Sequence, residues 1–284
     1  MRKQTLFARR LRGDIGPLNT DPVRRLMSRI IAPAVSITGY DQDYEEATDI
    51  AHYNIGSRMV VDDRVFHYAR AGNTLDCGLG AHIGFTQDIG FAVVTVDATA
   101  AGKYTLVVTV GANDGRLGTG EIPANELSGG YIIIFPDGMA DTINRRIVSH
   151  TGVAAPGGAM TVTVDRPLPV ALTPNPHAEL IASPYLDVLE GNLDRRMIVG
   201  MPPIAATVGQ YLWLQTWGPV WITPTGVDFL TAENSLAMFR GNGTITEFIW
   251  NNPATGQPQI AGTIMTPARL GGQGAPFVNL MIAP

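Results

Sequence analysis

The chain of 284 residues has little of what catalytic, metal-binding or disulfide-linked proteins need. Its single cysteine, Cys77, excludes an internal disulfide framework and a cysteine-based zinc site, because both require several cysteines. The five histidines lack the i, i+2 or i, i+4 partners typical of metal sites. Neither a Gly-x-Ser-x-Gly elbow nor a Walker motif is present. We therefore expect a protein that is not an enzyme and has no cofactor and no metal.

Long apolar runs and charged residues are also scarce. No run of 18 or more apolar residues occurs, so we expect no membrane span, and the basic N-terminus lacks the apolar region of a secretory signal. Charged residues make up 16% of the chain and hydrophobic residues 45%. Since soluble proteins average about 25% charged residues, this composition leaves apolar surface for association with partners.

The chain is rich in turn residues and short β-branched runs. It has 32 glycines and 20 prolines, and no amphipathic helix of 12 or more residues competes with the strand pattern. The predicted strands are 58–61, 64–70, 90–96, 104–110, 130–135, 144–151, 160–164 and 178–181. Asp62-Asp63 is predicted to form a two-residue hairpin turn between the first two. The fold class is therefore all-β, a β-sandwich or β-barrel (jelly-roll-like) body with an extended, partly helical basic N-terminal arm.

Composition along the chain divides it into three predicted parts. These are an N-terminal arm over 1–54, a β-rich main domain over 55–195, and a smaller C-terminal β domain or extension over 196–284. Within the arm, Asp21 is a good N-cap and Pro22 a good first helical residue, which predicts a helix over 22–31. A second short helix is predicted over 43–52.

The arm is basic and the remainder of the chain is acidic. Residues 1–30 carry eight basic and two acidic residues, a formal charge of +6, which leaves −11 for the rest of a chain whose net charge is −5. The arm is either a solvated tail or a contact to a neighbouring protein subunit. Apolar residues interleave with the arginines, which favours protein contact, and we do not expect nucleic-acid binding. The residues predicted to make this subunit contact are Arg2, Lys3, Phe7, Arg9, Arg10, Arg12, Arg24, Arg25 and Arg29.

Three of the four tryptophans lie close together near the C-terminal part of the chain. A strand period of two would place Tyr211, Trp213, Gln215 and Trp217 on one face, and Trp221 follows after a turn or bulge at 218–219. Large rings of this kind are typical of a hydrophobic core. The alternative is a ligand platform on which sugars or bases stack.

Four stretches of the chain share a pattern with one protein family. Residues 56–72 read Gly-Ser-Arg-Met-Val-Val-Asp-Asp-Arg-Val-Phe-His-Tyr-Ala-Arg-Ala-Gly, and the stretches 124–132, 183–185 and 210–218 follow in the same order. This pattern resembles that of capsid decoration (cement) proteins of tailed bacteriophages, which are encoded near the major capsid protein. The resemblance spans roughly residues 55–220, and the C-terminal strands are less distinctive.

The resemblance implies a structural virion protein that binds the outside of a phage capsid and decorates or stabilises the shell. Its partners would be the major capsid protein and copies of itself, and a trimer suits the three-fold positions of a shell. Its place would be the capsid surface, after synthesis in the host bacterial cytoplasm. The alternative is a receptor- or carbohydrate-binding module of a phage fibre or surface protein.

Overall fold

The computed structural model describes nine stretches of the chain. They are residues 41–84, 92–115, 118–139, 142–173, 176–191, 196–225, 235–248, 259–266 and 276–284. The described residues form fifteen strands and no helix, which confirms the all-β prediction. Residues 1–40, and with them the helix predicted over 22–31, lie outside the described residues.

The strands are distributed along the whole described chain. They are β1 (Arg58–Val61), β2 (Arg64–Arg70), β3 (Ala81–His82), β4 (Ala92–Val96), β5 (Thr105–Val110), β6 (Tyr131–Met139), β7 (Ile143–His150), β8 (Gly158–Val164), β9 (His177–Ile181), β10 (Ile198–Gly200), β11 (Tyr211–Trp221), β12 (Leu236–Phe239), β13 (Ile245–Glu247), β14 (Gln259–Thr266) and β15 (Phe277–Met281).

The six strands β4 to β9 close into an antiparallel barrel in the order β4-β5-β8-β7-β6-β9. Alternation in the sequence dictates which side chains fill it. In β5, Leu106, Val108 and Val110 are buried, whereas Thr105 and Thr109 are exposed. Burying an aliphatic side chain of this size contributes about 1.5–3 kcal/mol. Closure also pairs both edges of every barrel strand, so the barrel offers no open sheet edge to another chain.

The second body is a seven-stranded sheet in the order β1-β2-β11-β15-β14-β12-β13, beside the two-stranded pair β10-β3. The early strands β1 to β3 thus belong with the C-terminal strands, and the barrel is inserted between β3 and β10. This grouping differs from the division predicted at 55–195 and 196–284. The reason is that sequence patterns identify strands but leave their distant partners open.

The β1–β2 hairpin has the turn that the sequence predicts. Val61 pairs with Arg64, which leaves Asp62 and Asp63 as the two turn residues. Asp62 has a φ of 54°, a left-handed conformation that aspartate tolerates better than most residues other than glycine. Across the sheet, a Cβ added to Gly218 of β11 would collide with the carbonyl oxygen of Asp63. The hairpin therefore packs tightly on β11.

The helix predicted over 43–52 is wrong. The segment makes a turn from Asp43 to Glu46 and then an isolated antiparallel bridge between Thr48 and Tyr211. Tyr44 stacks on Phe66 of β2 with 5.1 Å between the ring centroids. A ten-residue helix is only marginally stable by itself, so packing against the aromatic side of the sheet decides the conformation.

Candidate functional site

The aromatic residues of β11 do not form one surface, and Trp213 lies in a core. Trp213 is 1% exposed and packs against Tyr68 and Tyr53, with ring centroids 4.9 and 5.2 Å away. Its indole N–H donates to the carbonyl oxygen of Gln42 at 3.3 Å. Tyr211, which is half-buried, stacks on Tyr68 at 6.0 Å. These contacts assign Trp213 and Tyr211 to the packing of the sheet against residues 42–53.

A bulge in β11 separates Trp217 from Trp213. Trp213 pairs with Tyr68 and Trp217 pairs with Val65, so the partner strand advances three residues while β11 advances four. Directly paired residues share a face, and residues three apart in a regular strand lie on opposite faces. Trp217 therefore lies on the face opposite Trp213, and the prediction of one face for both is wrong. The extra residue of the bulge is Thr216.

Beyond the bulge, β11 and β15 present four large apolar side chains on one face. Trp217 pairs with Met281 and Trp221 with Phe277, so the two pairs lie on the same face with the Pro219–Asn279 pair between them. Trp221 is 40% exposed, Met281 42% and Phe277 36%, while Trp217 is half-buried. We call Trp217, Trp221, Phe277 and Met281 the β11–β15 strip. Its opposite face, with Val278 and Leu280, is buried in the core of the sheet.

The strip rests on a fixed backbone. The ring of Trp221 lies over Gly78, where an added Cβ would be 2.5 Å from its Cζ3 atom, and Gly78 has a φ of 85°. The amide of Thr223 donates to the carbonyl oxygen of Gly78 at 2.9 Å, which holds this loop beside the end of β11. A rigid aromatic surface loses little conformational entropy when it binds, since its side chains are already positioned.

A polar group of three side chains lies beside the strip. The imidazole of His67 stacks on Tyr185 with 4.7 Å between the ring centroids, and its Nδ1 lies 3.0 Å from the hydroxyl of Thr216. That hydroxyl donates to the carbonyl oxygen of Ala283 at 2.7 Å. Thr216 must therefore accept from His67, which assigns the proton of the neutral ring to Nδ1.

Burial and nearby cations keep His67 neutral. Burial, together with the smaller effects of the nearby cations Arg58 and Arg146, lowers the pKa of His67 to about 4. Burial also raises the pKa of Tyr185 to about 12. Near neutral pH both rings are uncharged, and the donating Nδ1 of His67 is engaged with Thr216. The group therefore acts as a support that ties β2, β11 and the residues after β15 together.

The predicted arm residues lie outside the part of the chain that the structure describes. Residues 1–40 lie outside the described residues, and this range includes every position of the predicted basic contact. These positions are Arg2, Lys3, Phe7, Arg9, Arg10, Arg12, Arg24, Arg25 and Arg29.

Sequence reasoning identified Trp217 and Trp221 but missed Phe277 and Met281. The signal was present in β15, where Phe277, Asn279 and Met281 alternate with Val278 and Leu280. Alternation alone does not say which set faces the core, because both sets contain apolar residues. In the structure, Val278 and Leu280 are buried in the core of the sheet, and Phe277 and Met281 lie on the exposed face beside Trp221 and Trp217 of β11.

Within the described ranges, no group of three or more His, Cys, Asp or Glu side chains could hold a metal ion. In the same part of the chain, no helix is long and apolar enough to cross a membrane. Comparison of the chain with protein-family models, with curated proteins and with solved structures gives no match.

Proposed function

We propose that this chain is a structural protein of a phage particle that binds the outside of the capsid and decorates or stabilises its shell. The observation that carries the proposal is the β11–β15 strip. Exposed clusters of large apolar side chains are uncommon on monomeric proteins and mark surfaces that bind partners. Aromatic residues and methionine are enriched in protein interfaces, and tryptophan is among the commonest energetic hot spots.

The composition of the strip favours a protein partner. Four apolar side chains share one face, and the residues between the two pairs on that face are Pro219 and Asn279, which are half-buried and uncharged. Such a surface binds mainly because its apolar area is removed from water, and the surface of another folded protein can cover that area. The resemblance of residues 55–220 to decoration proteins suggests that this partner is the major capsid protein of the same phage.

Attachment to a shell also multiplies weak contacts. A capsid offers many symmetry-related positions, and a homo-oligomer can engage several of them at once with greatly increased avidity. We propose a homo-oligomer, a trimer if it occupies three-fold positions. In this proposal the strip binds the shell and the basic arm over 1–31 adds a second contact, to the shell or to a neighbouring copy. The protein would be made in the host cytoplasm and carried on the virion surface.

Co-sedimentation with shells assembled from the major capsid protein tests the proposal. The variant Trp221→Ser with Phe277→Ser removes the exposed end of the strip, and we expect it to remain in the supernatant while the unchanged protein pellets. The matched control is Tyr104→Ser with Val170→Ser, two residues that are 52% and 49% exposed on the barrel. We expect the control to pellet like the unchanged protein. Full pelleting of the strip variant would contradict the proposal.

A further inference from the structure

We infer that a cavity between the barrel and the sheet binds a neutral saccharide. The cavity has a volume of about 440 Å³ and is bounded by residues 51–55, the loop 123–128, the end of β7 and Tyr211. This volume lies within the range of about 300–1,000 Å³ that is usual for small-molecule sites. The cavity shares no residue with the β11–β15 strip, so this inference stands independently of the proposed function.

Two tyrosine rings form part of the apolar wall of the cavity, beside Ile55, Val148 and Leu186. Tyr53 is held in place by Trp213, at 5.2 Å, and by Tyr68, at 5.3 Å in an edge-on arrangement. Tyr211 is held by its stacking on Tyr68. The aromatic core of the sheet thus fixes both rings before any ligand arrives. A pyranose ring has apolar C–H faces that pack on such rings and hydroxyls that need polar partners at its rim.

The barrel side of the cavity supplies small polar groups. Asn125 accepts a hydrogen bond from the amide of His150 at 3.0 Å through Oδ1, which orients its Nδ2 as a donor for other groups. Ser128 donates its hydroxyl to the carbonyl oxygen of Val148 at 2.7 Å, so its lone pairs can accept. Ser149 and Asn54 also line the cavity. Amide and hydroxyl groups of this kind match the mixed donors and acceptors of a sugar.

A fixed guanidinium completes the polar set. Nη1 of Arg70 lies 3.2 Å from Oδ1 of Asp187, whose side chain is only 8% exposed, while the Arg70 side chain is 38% exposed and lines the cavity. A guanidinium carries five N–H donors, so the exposed part of the Arg70 side chain keeps donors for a ligand hydroxyl beyond its pairing with Asp187.

The charges around the cavity favour a neutral ligand. Asp187 offsets the positive charge of Arg70. An anion would therefore meet a guanidinium that is already paired with a carboxylate. A neutral polyhydroxyl compound instead uses Arg70 as donor and the tyrosine rings for packing. This combination selects a saccharide over a carboxylate or phosphate.

The experiment is saturation-transfer NMR on the full-length protein with a panel of probes. The panel contains methyl glucopyranoside, methyl galactopyranoside, methyl mannopyranoside, lactose, maltose and cellobiose, with sodium acetate and choline as charged probes. The blocking variant is Ala51→Trp, since Ala51 is exposed at the cavity and a large side chain there fills it without touching the core. The control is Ala101→Trp, at an exposed alanine in the turn between β4 and β5.

We expect at least one neutral sugar to bind the unchanged protein and the Ala101→Trp control, and binding to be lost in Ala51→Trp. Arg70→Lys should weaken the same sugar on the order of tenfold, because a lysine cannot reproduce the fork of donors. Circular dichroism of each variant checks that it is folded. Binding of acetate or choline alone, no binding of any sugar, or sugar binding that survives Ala51→Trp would each overturn the inference.

Discussion

The barrel and the seven-stranded sheet are built in opposite ways. Each barrel strand pairs only with strands from the continuous stretch 92–181, and the barrel core is mostly valine, leucine and isoleucine. The sheet joins β2 to β11, which are more than 140 residues apart, and one side of it packs through aromatic rings. The barrel is therefore self-contained, whereas the sheet needs both ends of the described chain and leaves the β11–β15 strip uncovered.

The largest effect is expected when the barrel and the C-terminal strands are produced as separate fragments. We expect a fragment of residues 92–182 to fold cooperatively, because every strand partner of the barrel lies within it. A fragment of residues 196–284 should fail to fold, because β11 loses its pairing with β2. Circular dichroism during a urea titration measures whether each fragment unfolds cooperatively. A folded C-terminal fragment would show that the sheet does not depend on the early hairpin.

Two of the three tryptophans of β11, Trp213 and Trp221, should differ strongly in their effect on stability. Trp213→Ala removes a buried ring from the aromatic core, and we expect a loss of about 3–5 kcal/mol in the free energy of unfolding. Trp221→Ala removes a ring that is 40% exposed, and we expect a loss smaller than about 1.5 kcal/mol. Urea denaturation measures both. Equal losses would contradict the placement of the two residues on different faces.

The stability of the sheet should depend on pH through His67, which belongs to the polar group beside the strip. The pKa of His67 is about 4 in the folded protein, below the ordinary value of 6.5, so the unfolded chain binds the proton more readily. The stabilisation is complete above pH about 6.5 and is lost as the pH falls towards 4. The pKa of His150 is also lowered by burial, so a second histidine acts in the same direction.

We therefore expect His67→Gln to unfold with a flatter pH dependence between pH 6.5 and 5 than the unchanged protein. Urea titrations at several pH values in this window measure the difference in slope. An unchanged slope would show that His67 is protonated as easily in the folded protein as in the unfolded chain.

The smallest expected change in stability is that of Arg64→Ala, at the edge of the aromatic core. The guanidinium of Arg64 lies 5.0 Å from the ring centroid of Tyr44 and 5.8 Å from that of Phe66. We expect Arg64→Ala to cost about 0.5–1 kcal/mol, the usual contribution of a cation–π contact near the surface. Arg166→Ala, at an exposed position of the barrel without such a ring contact among the described residues, is the comparison. The same urea titrations resolve the difference.

Much of the fold could be predicted from the sequence where structure is local. The boundaries of β1 and β2 and the turn at Asp62-Asp63 agree with prediction, and β4 to β9 match the predicted strands to within a few residues. Period-two alternation of β-branched residues is sufficient for this, because it depends only on neighbours in the chain. The same alternation fails in β11, where the extra residue Thr216 reverses the faces.

Less of the candidate site could be predicted. The sequence places Trp217 and Trp221 in one strand, but their exposure depends on the bulge and on pairing with β15 about 60 residues later. The cavity could not be predicted at all, since Asn54, Arg70, Asn125 and Ser149 come from four separate segments. Such juxtapositions depend on tertiary packing, for which one sequence carries no periodic signal.

Hydrogen–deuterium exchange of the free and shell-bound protein tests the central claim most directly. If the β11–β15 strip binds the shell, amides of residues 217–221 and 277–281 should gain protection on the capsid, while those of β5 and β8 in the barrel should exchange as in the free protein. Protection of the barrel strands with unchanged exchange in β11 and β15 would contradict the claim and move the binding surface to the other body.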